Sequence, residues 1–204
     1  MAASEIWKQL CLTFIVNNGH YCWWYFPFQL CSIPMYICLI LPWVKSVQIR
    51  KICLSFLMDF GLLGGIFTFF DTSGLHYPYG PLTVHSFAWH ILLIILGLFA
   101  GLSGESDYSW KGWVQGTALY GAGCVIATAF NMIFYRFGDI NMFYISPHYY
   151  MTQVVFKEIA AFLGNTAGIF VYIAAIITGA AIFHLIWHLI YENRKSSGLT
   201  GLPK

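Results

Sequence analysis

The chemistry available to this chain lies in a few polar side chains set inside long apolar runs, where a hydrocarbon environment penalises any polar group that lacks a partner. In the first run the string Gln29-Leu30-Cys31-Ser32 puts Cys31 on one helical face with Phe28, Met35 and Cys38. A reduced cysteine there is either a small hydrophobe or a nucleophile, and the second role needs a base to make thiolate. The second run carries Asp59 near its middle, one turn beyond Ser55. It is either a protonated carboxyl bonded to a neighbouring helix or a functional carboxylate. In the third run Thr83, Ser86 and His90 share one face, so a polar stripe ends in an imidazole that can serve as base, as ligand or as interhelical donor. The fourth run shows Tyr120, Cys124, Thr128 and Asn131 at helical spacing, a polar face that must look into a bundle or cavity. The fifth has His184 and His188 four apart, then Tyr191. Such a pair can bind a metal or haem, but without a carboxylate between them an interfacial face is the plainer reading.

These residues need helices to carry them. Of 204 residues, 59% are hydrophobic and only 9% charged, against roughly 25% charged in a soluble domain. Mean hydropathy is +0.68. The composition excludes a free-standing soluble domain, a disordered chain, a nucleic-acid binder and a disulfide-stapled secreted module. The six cysteines include no Cys-x-x-Cys pair, so neither a disulfide framework nor a zinc knuckle is expected. The N-terminus, with Lys8 and a short apolar run from Leu10 to Val16, lacks the cleavage site of a signal peptide.

A membrane helix needs about 20 mostly apolar residues. Five stretches qualify: about 27–42, 52–70, 81–102, 112–134 and 168–190. The predicted fold is all-α, a polytopic membrane helix bundle of about five spans over residues 27–190, since backbone groups in lipid must bond within their own segment. The second span tolerates Asp59. Its eleven Leu, Ile and Phe residues contribute about −0.3 to −0.6 kcal/mol each, and one central Asp costs about +3 kcal/mol. Gly61, Gly64 and Gly65 read as close helix packing, not as a phosphate loop. Residues 1–26 are expected to form a short interfacial helix around Glu5–Val16, residues 135–165 a re-entrant or surface segment, and residues 191–204 a cytoplasmic tail. The distribution of Lys and Arg orients the protein in a cell membrane. With the N-terminus outside and the C-terminus inside, Lys45, Arg50, Lys51, Lys111, Arg194, Lys195 and Lys204 are cytoplasmic, and only Lys8, Arg136 and Lys157 lie outside.

Several of these residues fall into an order that resembles a known family, the bacterial YwaF-type integral membrane proteins. These are distantly similar to a cysteine-dependent phospholipid acyltransferase of the TMEM class. The resemblance covers about residues 26–183. It rests on Pro27-Phe28-Gln29-Leu30-Cys31 opening a span, Gly64-Gly65, Ser86-Phe87-Ala88-Trp89-His90, Asn131 closing the fourth span, and Asn141-Met142-Phe143-Tyr144-Ile145. Gln29 stands where the family pattern has His, and Asp59 lies outside that pattern. The family pattern has one or two further spans before the first, so this chain is expected to be short at its N-terminus. The resemblance implies that Cys31 is a nucleophile, His90 its base, and Asn131 and Asn141 orienting groups.

The function expected on these grounds is acyl transfer on a membrane lipid through Cys31 and His90. Asn131, Asn141, Asp59, Ser86 and Thr128 would orient groups or bind substrate. No metal or cofactor is required. A homo-oligomer or a membrane partner would close any side left open by missing spans. Three other readings use the same residues. Asp59, His90 and the fourth-span face would line the path of a transporter. His90, or His184 with His188, would hold haem or a metal. A structural subunit of a membrane complex would need none of these roles.

Overall fold

The computed structural model describes residues 1–197; residues 198–204, with Lys204 and the end of the expected tail, lie outside the described residues. Among the described residues the fold is all-helical, a membrane helix bundle. Helix α1 (Ala2–Leu10) runs on as a π-helical turn over Cys11–Val16. A short helix, α2 (Ile33–Ile40), is flanked by 3-10 turns at Leu30–Ser32 and Leu41–Trp43. Helix α3 (Val47–Phe56) passes through a π-helical stretch (Leu57–Gly61) into α4 (Leu62–Phe67). Then come α5 (Gly80–Leu102), α6 (Trp110–Phe134), α7 (Phe156–Leu163) and α8 (Asn165–Ser196). By length and composition α5, α6 and α8 are each able to cross a membrane.

The α3–α4 helix is the centre. Every residue from Cys53 to Leu63 is buried, as suits a helix that is apolar all round. At 1.5 Å per residue it is about 30 Å long, the thickness of a hydrocarbon core. The first apolar run is shorter than the sequence suggests. Pro34 starts its regular helix and Pro42 sits in its closing turn, because proline fits a first turn but cannot continue an interior one. The helical part from Leu30 to Trp43 spans only about 20 Å.

Small residues let the other helices approach this centre. A Cβ on Gly97 would lie 2.6 Å from Leu62 Cβ, and one on Gly65 would lie 3.2 Å from the carbonyl oxygen of His90. Gly65 is therefore a packing glycine, as its sequence setting indicates, whereas Gly64 faces open space. The lipid-facing surface is apolar, with Val84, Ile91 and Phe99 on α5, Val125 and Ile133 on α6, and Phe170 and Ile182 on α8 all exposed.

At the other end of the molecule's core a ladder of stacked rings ties the N-terminal segment to the bundle. Trp23 stacks on Phe134, Phe28 on Phe130 and Phe143, Phe143 on Tyr120, and Tyr120 on Phe60, with centroids 5.0 to 6.1 Å apart. Each such pair contributes about 0.5–1.5 kcal/mol beyond its buried area. The segment before α8 folds back as the short helix α7. Its Ala160 packs so close to Gly168 that a Cβ there would lie 2.5 Å away.

The packing makes a direct prediction. Gly97→Val should destabilise the protein by at least about 1–3 kcal/mol through overpacking. Gly64→Ala, with nothing in its way and better helix propensity, should be neutral or slightly stabilising. Thermal unfolding in detergent measures both, and equal midpoints for the two variants would refute the close crossing of α4 and α5.

Candidate functional site

Cys31 sits in the 3-10 turn that leads into α2. It is partly buried against the cluster of Met35, Trp89 and Leu93. Its carbonyl oxygen accepts a hydrogen bond from Trp89 Nε1 at 3.0 Å. That bond fastens the Cys31 backbone to the turn of α5 that carries His90, the next residue. His90 is buried, and its Nδ1 lies 2.8 Å from the carbonyl oxygen of Ser86. A carbonyl only accepts, so in the neutral ring Nδ1 carries the proton and Nε2 keeps its lone pair, the form a general base requires. Ser86 thus serves His90 through its backbone.

Asn131 and Asn141 meet the same loop from two sides. Asn131 Nδ2 donates to the Met142 carbonyl at 3.1 Å, and Met142 N–H donates to Asn131 Oδ1 at 2.7 Å. Asn141 Oδ1 accepts from Ser146 N–H at 2.9 Å. Gln29 adds a second two-point clamp, donating to the Asn141 carbonyl at 2.9 Å and accepting from Phe143 N–H at 2.7 Å. An amide can donate and accept at once, which suits this task. These clamps hold Phe143 and Tyr144 at φ of 58° and 57°, a region that non-glycine residues rarely occupy. The strained loop stacks Phe143 on Phe28, which precedes Gln29 by one residue. Burial first, then nearby Cys31, Tyr25 and Asp71, pushes the Tyr144 hydroxyl up to about 12. Tyr144 is therefore a protonated donor at neutral pH. Burial, with Tyr25 and Cys31 adding to it, raises the Tyr77 hydroxyl too.

Thr128 is a correction. It is exposed on the outer face of α6, whose buried stripe is Gly112, Gly116, Tyr120, Ala127 and Asn131. Steps of four drift off a 3.6-residue period, so the inward position is Ala127 and Thr128 points about 100° away.

Asp59 and His184 form a separate, fully enclosed pair with both side chains 0% exposed. Asp59 Oδ2 lies 2.9 Å from His184 Nδ1, and His184 Nε2 lies 2.9 Å from the Ser109 carbonyl. That carbonyl requires a proton on Nε2. Nδ1 then either accepts from a protonated Asp59 or, as imidazolium, donates to its carboxylate. Both forms hold the same number of protons and are neutral as a pair. One turn on, His188 Nδ1 meets the Tyr108 carbonyl at 2.9 Å. Ser55 closes the same loop, accepting from Asp107 N–H at 3.0 Å. The two histidines are thus a clamp on the start of α6, and His184 is buried, not interfacial. Among the described residues no three His, Cys, Asp or Glu side chains converge as a metal site.

A further polar group lies at the N-terminus. Glu5, Lys8 and Gln9 lie on the inner face of α1. Glu5 Oε1 is 2.8 Å from Lys8 Nζ and accepts from Gln9 Nε2 at 2.7 Å, which also donates to the Tyr25 carbonyl at 2.7 Å. The outer face shows Ile6 and Phe14, 63% and 66% exposed. The spacing of Glu5, Lys8 and Gln9 marks the stripe; what it hides is the direction, because this helix turns its polar side to protein and its apolar side outward.

Fold and site together define a polytopic helical membrane protein with a cysteine-bearing turn seated on a histidine-bearing helix. More narrowly, a model of the TMEM164 family matches residues 6–191, nearly the whole chain, which therefore belongs to the TMEM164 family. No curated protein and no solved structure is significantly similar to it.

The enclosed pair gives a sharp expectation. Asp59→Asn keeps a donor for His184 Nδ1 and should hold the thermal midpoint close to that of the parent. Asp59→Leu leaves His184 unpaired and should cost about 1–3 kcal/mol. A midpoint as low for Asn as for Leu would show that the carboxylate charge, not its hydrogen bond, is what the bundle needs.

Proposed function

We propose that this TMEM164-family membrane protein is a lipid acyltransferase that works through Cys31 and His90. The observation that supports this most is the Trp89–Cys31 hydrogen bond, which seats the thiol-bearing turn beside the one that carries His90. The tautomer imposed by Ser86 leaves His90 Nε2 free to take the thiol proton. The thiolate then attacks the carbonyl carbon of a lipid ester. The C–O bond breaks, the leaving alcohol takes the proton from His90, and an acyl thioester remains on Cys31. An acceptor alcohol reverses the sequence: its oxygen bonds to the acyl carbon, the C–S bond breaks, and the hydroxyl proton passes through His90 to sulfur. Tyr144, held as a donor by its strained loop, is the group we assign to the oxyanion. Asn131, Asn141 and Gln29 then act as positioning residues that hold this loop. The motif order that resembles YwaF-type proteins implies the same nucleophile and base.

The transport reading draws less support. Asp59 lies within the packed run from Cys53 to Leu63 and is tied to His184 and, through it, to Ser109, so a path along it would have to break the core. We also propose that the loop between α5 and α6 is cytoplasmic, with Lys45, Arg50, Lys51, Lys111, Arg194 and Lys195 on that side. A reporter fused at Gly74 should then read as external; a cytoplasmic signal there reverses the topology.

Activity is tested with a thiol-reactive lipid probe and a fluorescent phospholipid. Cys31→Ala should abolish both labelling and transfer. His90→Ala should slow them by about 100-fold or more, the usual scale of a lost general base. Cys38→Ala, two helical turns away on α2, should leave both near the parent level. Full transfer by Cys31→Ala would reject the mechanism.

A further inference from the structure

One face of α5 is given over to α1. Leu82, His85 and Trp89 follow one another at steps of three and four, so they line a single stripe of the helix. Leu82 is buried in a cluster with Cys11 and Leu12, which continue α1. His85 has Trp7 of α1 and Trp89 as ring neighbours, with centroids 5.5 and 5.6 Å away. Trp89 is 7% exposed, and its Nε1 donates to the Cys31 carbonyl at 3.0 Å. Met1 and Ala2, where α1 begins, pack on the same cluster of Met35, Trp89 and Leu93 that Cys31 packs on. Contact therefore runs from α1 through two rings to the indole that fastens the thiol-bearing turn.

His85 shows what this stack uses. Both of its ring nitrogens are buried, and neither has a hydrogen-bond partner. The Ser4 backbone, also on α1, comes near without reaching hydrogen-bond geometry. His90, His184 and His188 each meet a carbonyl at 2.8 or 2.9 Å; His85 meets indoles instead. Buried nitrogens without partners cost free energy. The position therefore exploits the flat ring, at separations where aromatic pairs attract. Trp89 reaches the Cys31 carbonyl in one setting of its two side-chain torsions, and a ring packed against it holds that setting. Such settings matter to a nucleophile, because a misplacement of about 1 Å can cost about 100-fold in rate.

We propose that Trp7 and His85 are positioning residues for Cys31. Through Trp89 they hold the thiol-bearing turn in register with His90, and they do so as rings, not as hydrogen-bonding groups. This rests on the acyl-transfer reading for what the thiol does, but the register can be measured without turnover. Helix α1, which its sequence presents as an interfacial helix, then belongs to the architecture that prepares the nucleophile.

The test is the rate at which a membrane-permeant maleimide modifies Cys31 in the purified chain in detergent. Mass spectrometry reads it, with Cys38 as internal reference. The thiolate is the form that reacts, so loss of register with His90 slows the reaction. Trp7→Ala and His85→Ala should each slow Cys31 by about 10-fold or more relative to Cys38. Trp7→Phe and His85→Phe, which keep a ring, should restore most of the rate. Hydrogen exchange at the Trp89 indole N–H should quicken in the Ala variants and not in the Phe variants. In transfer assays the Ala variants should lower kcat in step, with KM changed by no more than about two-fold. A merely structural role gives the opposite sign, since a loosened bundle exposes Cys31 and speeds its modification. Should His85→Ala fail to fold, His85→Leu, which fills the space without a ring, takes its place. An unchanged or faster Cys31 rate on losing either ring, or His85→Phe as slow as the ringless variant, would overturn the proposal. The expected Cys31 rates with no acyl transfer by the parent chain would instead keep the positioning role and reject the acyl-transfer reading.

Discussion

Lipid offers no hydrogen bonds, and that constraint organises this molecule. Every polar group inside the hydrocarbon must find its partner within the protein. Asp59 finds His184, and His184 finds the Ser109 carbonyl. Asn131 and Gln29 find the backbone of the loop that follows α6. Trp89 finds the Cys31 carbonyl. All but the Asn131 bonds join segments far apart in the chain, so satisfying the polar groups also fixes the helix arrangement. Small residues and stacked aromatic rings then fill the space between these points.

The two ends of the bundle use the constraint differently. At the α5–α6 loop, Ser55, His184 and His188 meet backbone groups that a tight turn leaves unpaired. That end is a clamp on the start of α6, in which Asp59 Oδ1 and Trp187 Nε1 nevertheless stay buried without a partner. At the Cys31 end the pairing is incomplete. His90 Nε2 keeps a lone pair, and Glu5 Oε2 has no partner. Phe143 and Tyr144 are held in costly backbone conformations. Strained backbone of this kind persists only where surrounding structure enforces it.

Much of this was legible in the sequence, for reasons that are specific. The all-round apolar character of residues 52–70 marks a central helix, and an Asp there demands a partner. The partner itself is 125 residues away, a distance that periodicity does not bridge. Cys31 and His90 stand out by residue type. The bond that draws their segments together runs through Trp89, which reads in sequence as one more aromatic. Thr128 faces outward and Ala127 inward because steps of four accumulate error against a 3.6-residue turn. Prolines at 34 and 42 shorten a run that composition alone extends. For α1 the amphipathic pattern was readable, but its polar side turns to protein because the surface there faces apolar surroundings. Gln29 stands where the family pattern has His, and its amide makes two bonds to the loop at once.

The central claim is a covalent acyl group on Cys31, and intact-protein mass spectrometry measures it directly. Purified protein incubated with a diacyl phospholipid of defined chains should gain the mass of one acyl chain. The adduct should map to Cys31, vanish with neutral hydroxylamine as a thioester does, and discharge on adding a monoacyl acceptor. Transfer of the acyl chain to acceptor with no adduct on Cys31, or an adduct of unchanged yield in Cys31→Ala, would contradict the account.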